Sequence, residues 1–183
     1  MAMKKIFKEL FNFSKLLLIT YVIIALVSNF IFTPVMVRGS SMRPTLEDGD
    51  IGLSYVITKN LLGLHRGAVV TVYIPKEKQL IVKRVIALPG ETVYVKDGSV
   101  YVNDEILDEP YLENDFKAEF EESTGLLFTG DFPKVKVPED QYFLLGDNRP
   151  NSLDSRAYGP FDQDHIKSNS LFILYPFKNF GIK

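Results

Sequence analysis

Cysteine is absent from the 183 residues, and histidine occurs only at His65 and His165. Without cysteine there is no disulfide framework, no thiolate zinc site and no thiol nucleophile. Two histidines are too few for a histidine-rich metal centre. Neither lies in surroundings that mark a catalytic base. An excess of basic charge is also missing. The chain carries 21 Lys and Arg against 23 Asp and Glu, a net charge of −2, unlike the strongly basic profile of a generic nucleic-acid binder. No internal repeat and no low-complexity tract interrupts it, and its length suits one domain with a sizeable core.

The charge is unevenly spread. Residues 1–33 hold Lys4, Lys5, Lys8 and Lys15 against Glu9, a net +3, which leaves −5 on the remaining 150 residues. From Leu16 to Phe32 no residue is charged, and Leu, Ile, Val and Phe dominate. Seventeen residues make about 26 Å of helix at ~1.5 Å per residue, near the lower limit for a bilayer. The alternatives are a cleaved secretory signal and a buried core helix. The run is longer than a usual signal core and leaves through the bulky Asn29-Phe30-Ile31-Phe32-Thr33-Pro34, where a signal would show a small-x-small site. A soluble helix would show a polar face. Residues 16–33 are therefore expected to form one transmembrane helix. Four lysines before it and only Arg38 and Arg43 close behind it put residues 1–15 in the cytoplasm and residues 34–183 outside.

The rest reads as mainly β. Short β-branched runs recur between turn signals, among them Val35–Arg38, Ile51–Ile57, Ala68–Ile74, Leu80–Leu88, Lys134–Val137, Tyr142–Leu145 and Leu171–Tyr175. Thr92–Val95 and Ser99–Val102, joined through Asp97-Gly98, form the clearest hairpin. Asp104–Glu122 holds nine acidic residues and one lysine together with Tyr111, Phe116 and Phe120. Aromatics at that density predict a folded flap or sub-domain, over about 103–133, and not pure disorder.

Three stretches carry candidate chemistry. Arg38-Gly39-Ser40-Ser41-Met42-Arg43-Pro44-Thr45 places two serines in a constrained turn just beyond the apolar run. In Leu80–Glu91, strand alternation puts Lys83 between Ile81 and Val85, on the opposite face from Leu80, Val82, Arg84 and Ile86. A lysine among aliphatics loses hydration, which lowers its pKa and makes a neutral amine available as a base. The third stretch, Gly146-Asp147-Asn148-Arg149-Pro150-Asn151-Ser152-Leu153-Asp154-Ser155-Arg156, is a polar loop with the composition to brace a site.

Ser41-Met42-x-Pro44-Thr45, Lys83-Arg84 followed by Pro89-Gly90, and Gly146-Asp147-Asn148-Arg149 with Asn151-Ser152-x-Asp154-Ser155-Arg156, in this order behind an apolar span, together resemble type I signal peptidase of the Gram-positive type. The resemblance covers nearly the whole chain. It implies an antiparallel, barrel-like β catalytic core with a small inserted sub-domain, preceded by one transmembrane helix. It implies a membrane-anchored serine endopeptidase that removes signal peptides from exported preproteins, single-pass in the plasma membrane, with the lipid bilayer and preproteins as partners and no metal, cofactor or nucleic acid.

Residue by residue, the resemblance makes Ser41 the nucleophile, Lys83 its general base and Ser152 the group that orients the lysine. It pairs Asp147 with Arg84 and has Asp154 and Arg156 brace the loop of Ser152. Val35, Val37, Leu46 and Val82 match positions lining pockets for small substrate residues. Where some members have a serine, this chain has Gly39, as in Gram-positive members, so the backbone N–H of Ser41 is the expected oxyanion donor. Ala87 and Glu91 replace the commoner Gly and Asp. A binding domain without activity would tolerate loss of the serine or the lysine, and both are present.

Overall fold

In the computed structural model, which describes residues 2–55 and 63–183 and no side chains within 1–3 or 26–31, the chain opens on a 30-residue helix, α1 (Ala2–Ile31). The helix begins about fourteen residues earlier than the apolar run and ends sooner, because Phe32 and Thr33 already belong to strand β1 (Phe32–Met36). Among the described residues no helix is long and apolar enough to cross a membrane. Part of the expected span, residues 26–31, has side chains outside those described. The large apolar side chains from Ile6 to Ile24 are all exposed.

The remainder is built from antiparallel strands in three sheets. In the first, β1 lies at the edge beside β2 (Ile51–Tyr55), followed by β12 (Leu171–Tyr175) and β13 (Gly181–Ile182). Residues 56 and 57, expected at the end of β2, fall outside the described residues. The second sheet runs β10 (Phe161–Asp162), β9 (Gln141–Leu145), β4 (Gln79–Ala87), β3 (Val69–Ile74) and β11 (Ile166–Ser168).

Strand β4 positions the chemistry. It pairs with β3 from Gln79 to Arg84 but with β9 only from Arg84 onward, so among the described residues one edge of residues 79–82 is free. Its inner half packs through Ile81 and Val85 on one aliphatic cluster and through Val82 on another that contains Val37, Met42 and Leu46. The simple alternation expected along this strand breaks at a register shift between Val85 and Ala87. Ala87 thereby joins Ile86 in a third cluster with Val93 and Phe143. A bulge adds a residue to one strand and reverses the facing of the residues beyond it, which a period-two pattern does not reveal.

The third sheet, β7 (Glu105–Ile106), β6 (Ser99–Val102), β5 (Thr92–Lys96) and β8 (Phe132–Lys136), carries the acidic segment. Asp97 and Gly98, both at positive φ, make the β5–β6 turn, and their N–H groups donate to the Asp131 carboxylate. Within the acidic segment, α2 (Asp115–Thr124) starts where the Asn114 side chain accepts from the Lys117 N–H and stops at Gly125 in the left-handed region. Phe116 and Phe120 from this helix pack edge-on against buried Phe128. The segment is therefore a folded unit with a small aromatic core.

Candidate active site

The turn after β1 is held from both ends. Val37 exchanges backbone hydrogen bonds with Asp50 and Gly49, and Gly39, at φ +85, donates its N–H to the Asp48 carboxylate at 2.7 Å. That backbone conformation favours glycine and accounts for Gly39 at this position. Beyond it, Arg43 N–H reaches Ser40 O and Leu46 N–H reaches Met42 O, while the Met42 side chain is buried in the cluster of Val37 and Leu46. The two serines between are thereby fixed in direction.

Their hydroxyls have different partners. Lys83 Nζ lies 2.7 Å from Ser41 Oγ, whereas Ser40 Oγ accepts from the Asn151 side chain at 2.9 Å. The first distance is within reach for proton transfer. Lys83 is 2% exposed. Burial disfavours its ammonium and carries the pKa down to about 8, against the opposing pull of the Asp154 and Asp147 carboxylates and with a smaller push from Arg156. The histidines are elsewhere: His65 Nδ1 contacts the Arg66 carbonyl and His165 faces Asp162.

The polar loop after β9 grips the serine turn. Asn148 N–H donates to Ser41 O at 3.0 Å, and the Asn148 side chain donates to Ser40 O at 3.0 Å. Gly146 packs so closely that a Cβ there would overlap both the Ser41 carbonyl oxygen and the Ser152 hydroxyl. Only a glycine fits between them. The loop is braced in turn: Asp154 accepts from Gly146 N–H at 3.0 Å and binds Arg156 with both oxygens. Burial opposes ionisation of Asp154, but the Arg156 hydrogen bonds and charge and the Gly146 N–H hold it below the usual carboxylate range. Ser152 Oγ is buried, makes no bond to Lys83, and adds to the hydrogen bonding that lowers the Asp154 pKa. It lines one cavity with Ser41 and Lys83.

Arg84, next to the lysine on β4, points the other way. Its Nε and Nη2 bind the two Asp147 oxygens at 2.8 and 2.6 Å, and Thr45 Oγ1 donates to the same carboxylate at 2.5 Å. Asp147 thus joins the serine turn, the lysine strand and the polar loop. Of the four expected pocket residues, Val35, Val37 and Val82 line a cleft of about 530 Å³ that reaches Ser41 between β1 and the free edge of β4. Leu46 is fully buried in the core below and does not line the cleft. Hydrophobicity alone could not separate the two positions. Met42, Leu80 and Ile81 line it as well. Thr45 stands in the serine motif and Tyr111 among the aromatics of the acidic segment. Their partners, and any part for Glu109, escaped sequence reasoning because no local pattern marks a partner so distant along the chain.

A buried lysine is thus hydrogen-bonded to a serine hydroxyl at the end of a cleft lined by both apolar and polar side chains. Residues 10–175 match the family model for signal peptidase, peptidase S26. The chain is 40% identical over 170 residues to signal peptidase I of Bacillus licheniformis, covering 92% of this chain and 90% of the relative. It is 42% identical over 168 residues to signal peptidase I T of Bacillus subtilis, covering 91% and 86%. A crystal structure of a signal peptidase I from Enterococcus faecalis aligns with a TM-score of 0.51 at 36% identity, over 57% of this chain and 94% of that one. The chain belongs to the signal peptidase I family, peptidase S26.

Proposed function

We propose that this protein is a membrane-anchored endopeptidase that removes signal peptides from exported preproteins with a Ser41/Lys83 dyad. The 2.7 Å approach of a buried amine to Ser41 Oγ carries the reading. Neutral Lys83 takes the hydroxyl proton as Ser41 attacks the scissile carbonyl, and the ammonium then gives that proton to the departing amine. The acyl group left on Ser41 is released by water, with Lys83 again the base. The Ser41 N–H makes no hydrogen bond among the described residues and serves as the oxyanion donor. Ser152 orients the amine, which its place in the same cavity as Ser41 and Lys83 supports.

The substrate lies in the cleft as an extended segment, with small residues at the first and third positions before the cut set against Val35, Val37 and Val82. Residues 16–33 of α1 and its exit anchor the domain in the plasma membrane, with 1–15 inside and 34–183 outside; the outward-facing apolar side chains and the lysines at the start support this. About 103–133 form the inserted sub-domain. Preprotein cleavage in detergent or liposomes tests the dyad directly. Ser41→Ala should abolish it and Ser40→Ala should retain substantial activity; a dead Ser40→Ala beside an active Ser41→Ala would overturn the assignment.

A further inference from the structure

The acidic segment enters over Glu109-Pro110-Tyr111; Pro110 is exposed, while half-buried Glu109 and Tyr111 turn toward two arginines of the catalytic scaffold. Arg149 is almost fully buried. Its Nε donates to Gly146 O at 3.0 Å, its Nη1 to Glu109 at 3.1 Å and Thr129 at 3.2 Å, and its Nη2 to the other Glu109 oxygen. A buried guanidinium needs a carboxylate, and Glu109 is the one it has. Tyr111 donates its hydroxyl to Glu109 at 2.5 Å and lays its ring over Arg84, with the guanidinium carbon 3.8 Å from the ring centre.

Each arginine is one short step from the chemistry. Arg84 follows Lys83 on β4 and holds Asp147. Arg149 holds the carbonyl of Gly146, the glycine wedged against Ser41 O and Ser152. We propose that Glu109 and Tyr111 are positioning residues for the active site, clamping Arg84 and Arg149 so that the lysine strand and the Gly146 loop close on Ser41 in one geometry. The inference rests on the Ser41/Lys83 reading and gives the inserted segment a part in it.

The clamp also touches the field at the amine. The charged groups acting on Lys83 are Asp154, Arg156 and Asp147, and Arg84 neutralises the last of these. Loosening Arg84 leaves more of the Asp147 charge to favour the ammonium, so the amine becomes neutral at higher pH.

The test measures kcat, KM and the pH profile of preprotein cleavage by the full chain in detergent, with thermal unfolding of every variant. Tyr111→Leu and Glu109→Gln should each lower kcat by about tenfold, the scale of a small misplacement of reacting groups, with KM changed less than about twofold. Both should move the rise of activity to higher pH. Tyr111→Phe, which keeps the ring over Arg84, should recover the larger part of the loss seen in Tyr111→Leu. Glu122→Gln removes a charge from the exposed face of the same segment and should leave kcat and the profile unchanged. Folded variants with wild-type kcat and profile would overturn the clamp, as would a Glu122→Gln effect equal to that of Glu109→Gln. If Tyr111→Leu does not fold, the near-isosteric Glu109→Gln is judged by the same criteria. Ser41→Ala run in parallel separates the two readings: if it is inactive while the clamp variants behave as wild type, the clamp alone fails.

Discussion

From Ile6 to Ile24, α1 leaves its large apolar side chains 44% to 77% exposed, whereas Lys83, Arg84, Asp147, Arg149 and Asp154 around the serine turn are at most 8% exposed. One region puts oil outside and the other puts charge inside. Each arrangement is costly in water unless something answers it. For the helix the proposed answer is a bilayer, which would cover the apolar side chains that water does not. For the charges it is each other: Arg84 with Asp147, Arg156 with Asp154, Arg149 with Glu109. Lys83 is the member without a carboxylate bonded to it; its bond goes to Ser41. The region with the most buried charge is thus the one where an amine is bonded to a hydroxyl and not to a carboxylate.

The comparison can be broken at the reactive amine first. Lys83→Ala and Lys83→Arg should both reduce preprotein cleavage by at least ~10³-fold, because a methyl cannot take a proton and a guanidinium does not give one up. Strong turnover by either in a steady-state assay would remove the amine from the mechanism. Removing an answering charge comes next. Asp147→Ala strands buried Arg84 and should destabilise the domain by about 3–5 kcal/mol, read as a lower midpoint in denaturant.

The outer region is tested by charging it. Ile23→Lys places an ammonium in the apolar stretch, at a cost of about 2.5–3.5 kcal/mol if that position sits at the centre of a bilayer. Extraction of membranes at alkaline pH should then release more protein than with wild type. Equal retention would remove the bilayer as the answer to the exposed helix. The smallest effect is the most informative about the amine. With a pKa of about 8, the neutral fraction rises by roughly tenfold between pH 7 and pH 9. The cleavage rate should rise with it through one ionisation and survive in His65→Ala and His165→Ala. A rise near ~6.5 that vanishes with a histidine would mark imidazole as the base.

How much of this was legible depended on range along the chain. The β5–β6 hairpin could be read from Asp97-Gly98 because the turn and its strands are contiguous. Strands β7, β10, β11 and β13, of two or three residues, are too short for any period to register. The serine turn, the lysine strand and the polar loop each announced themselves through local composition and together through a resemblance. Their joints did not. Thr45 on Asp147 and Tyr111 on Arg84 link residues far apart in sequence, and a threonine or tyrosine in isolation says nothing about a partner. The aromatics of the acidic segment implied a fold there, but not that its entry leads back to the site.

The lowered pKa of Lys83 also sets how firmly the domain holds together at different pH. In the unfolded chain that amine keeps its proton up to about 10.4, while in the folded domain it releases it at about 8. Between those values the unfolded state binds the extra proton, so this group makes stability rise with pH across that window. Below it the penalty is complete, on the order of 3 kcal/mol. At neutral pH the fold therefore tolerates a deficit comparable to the loss of a core side chain. An apolar group at position 83 would remove that deficit along with the base, which makes the reactive site and the most stable sequence two different optima.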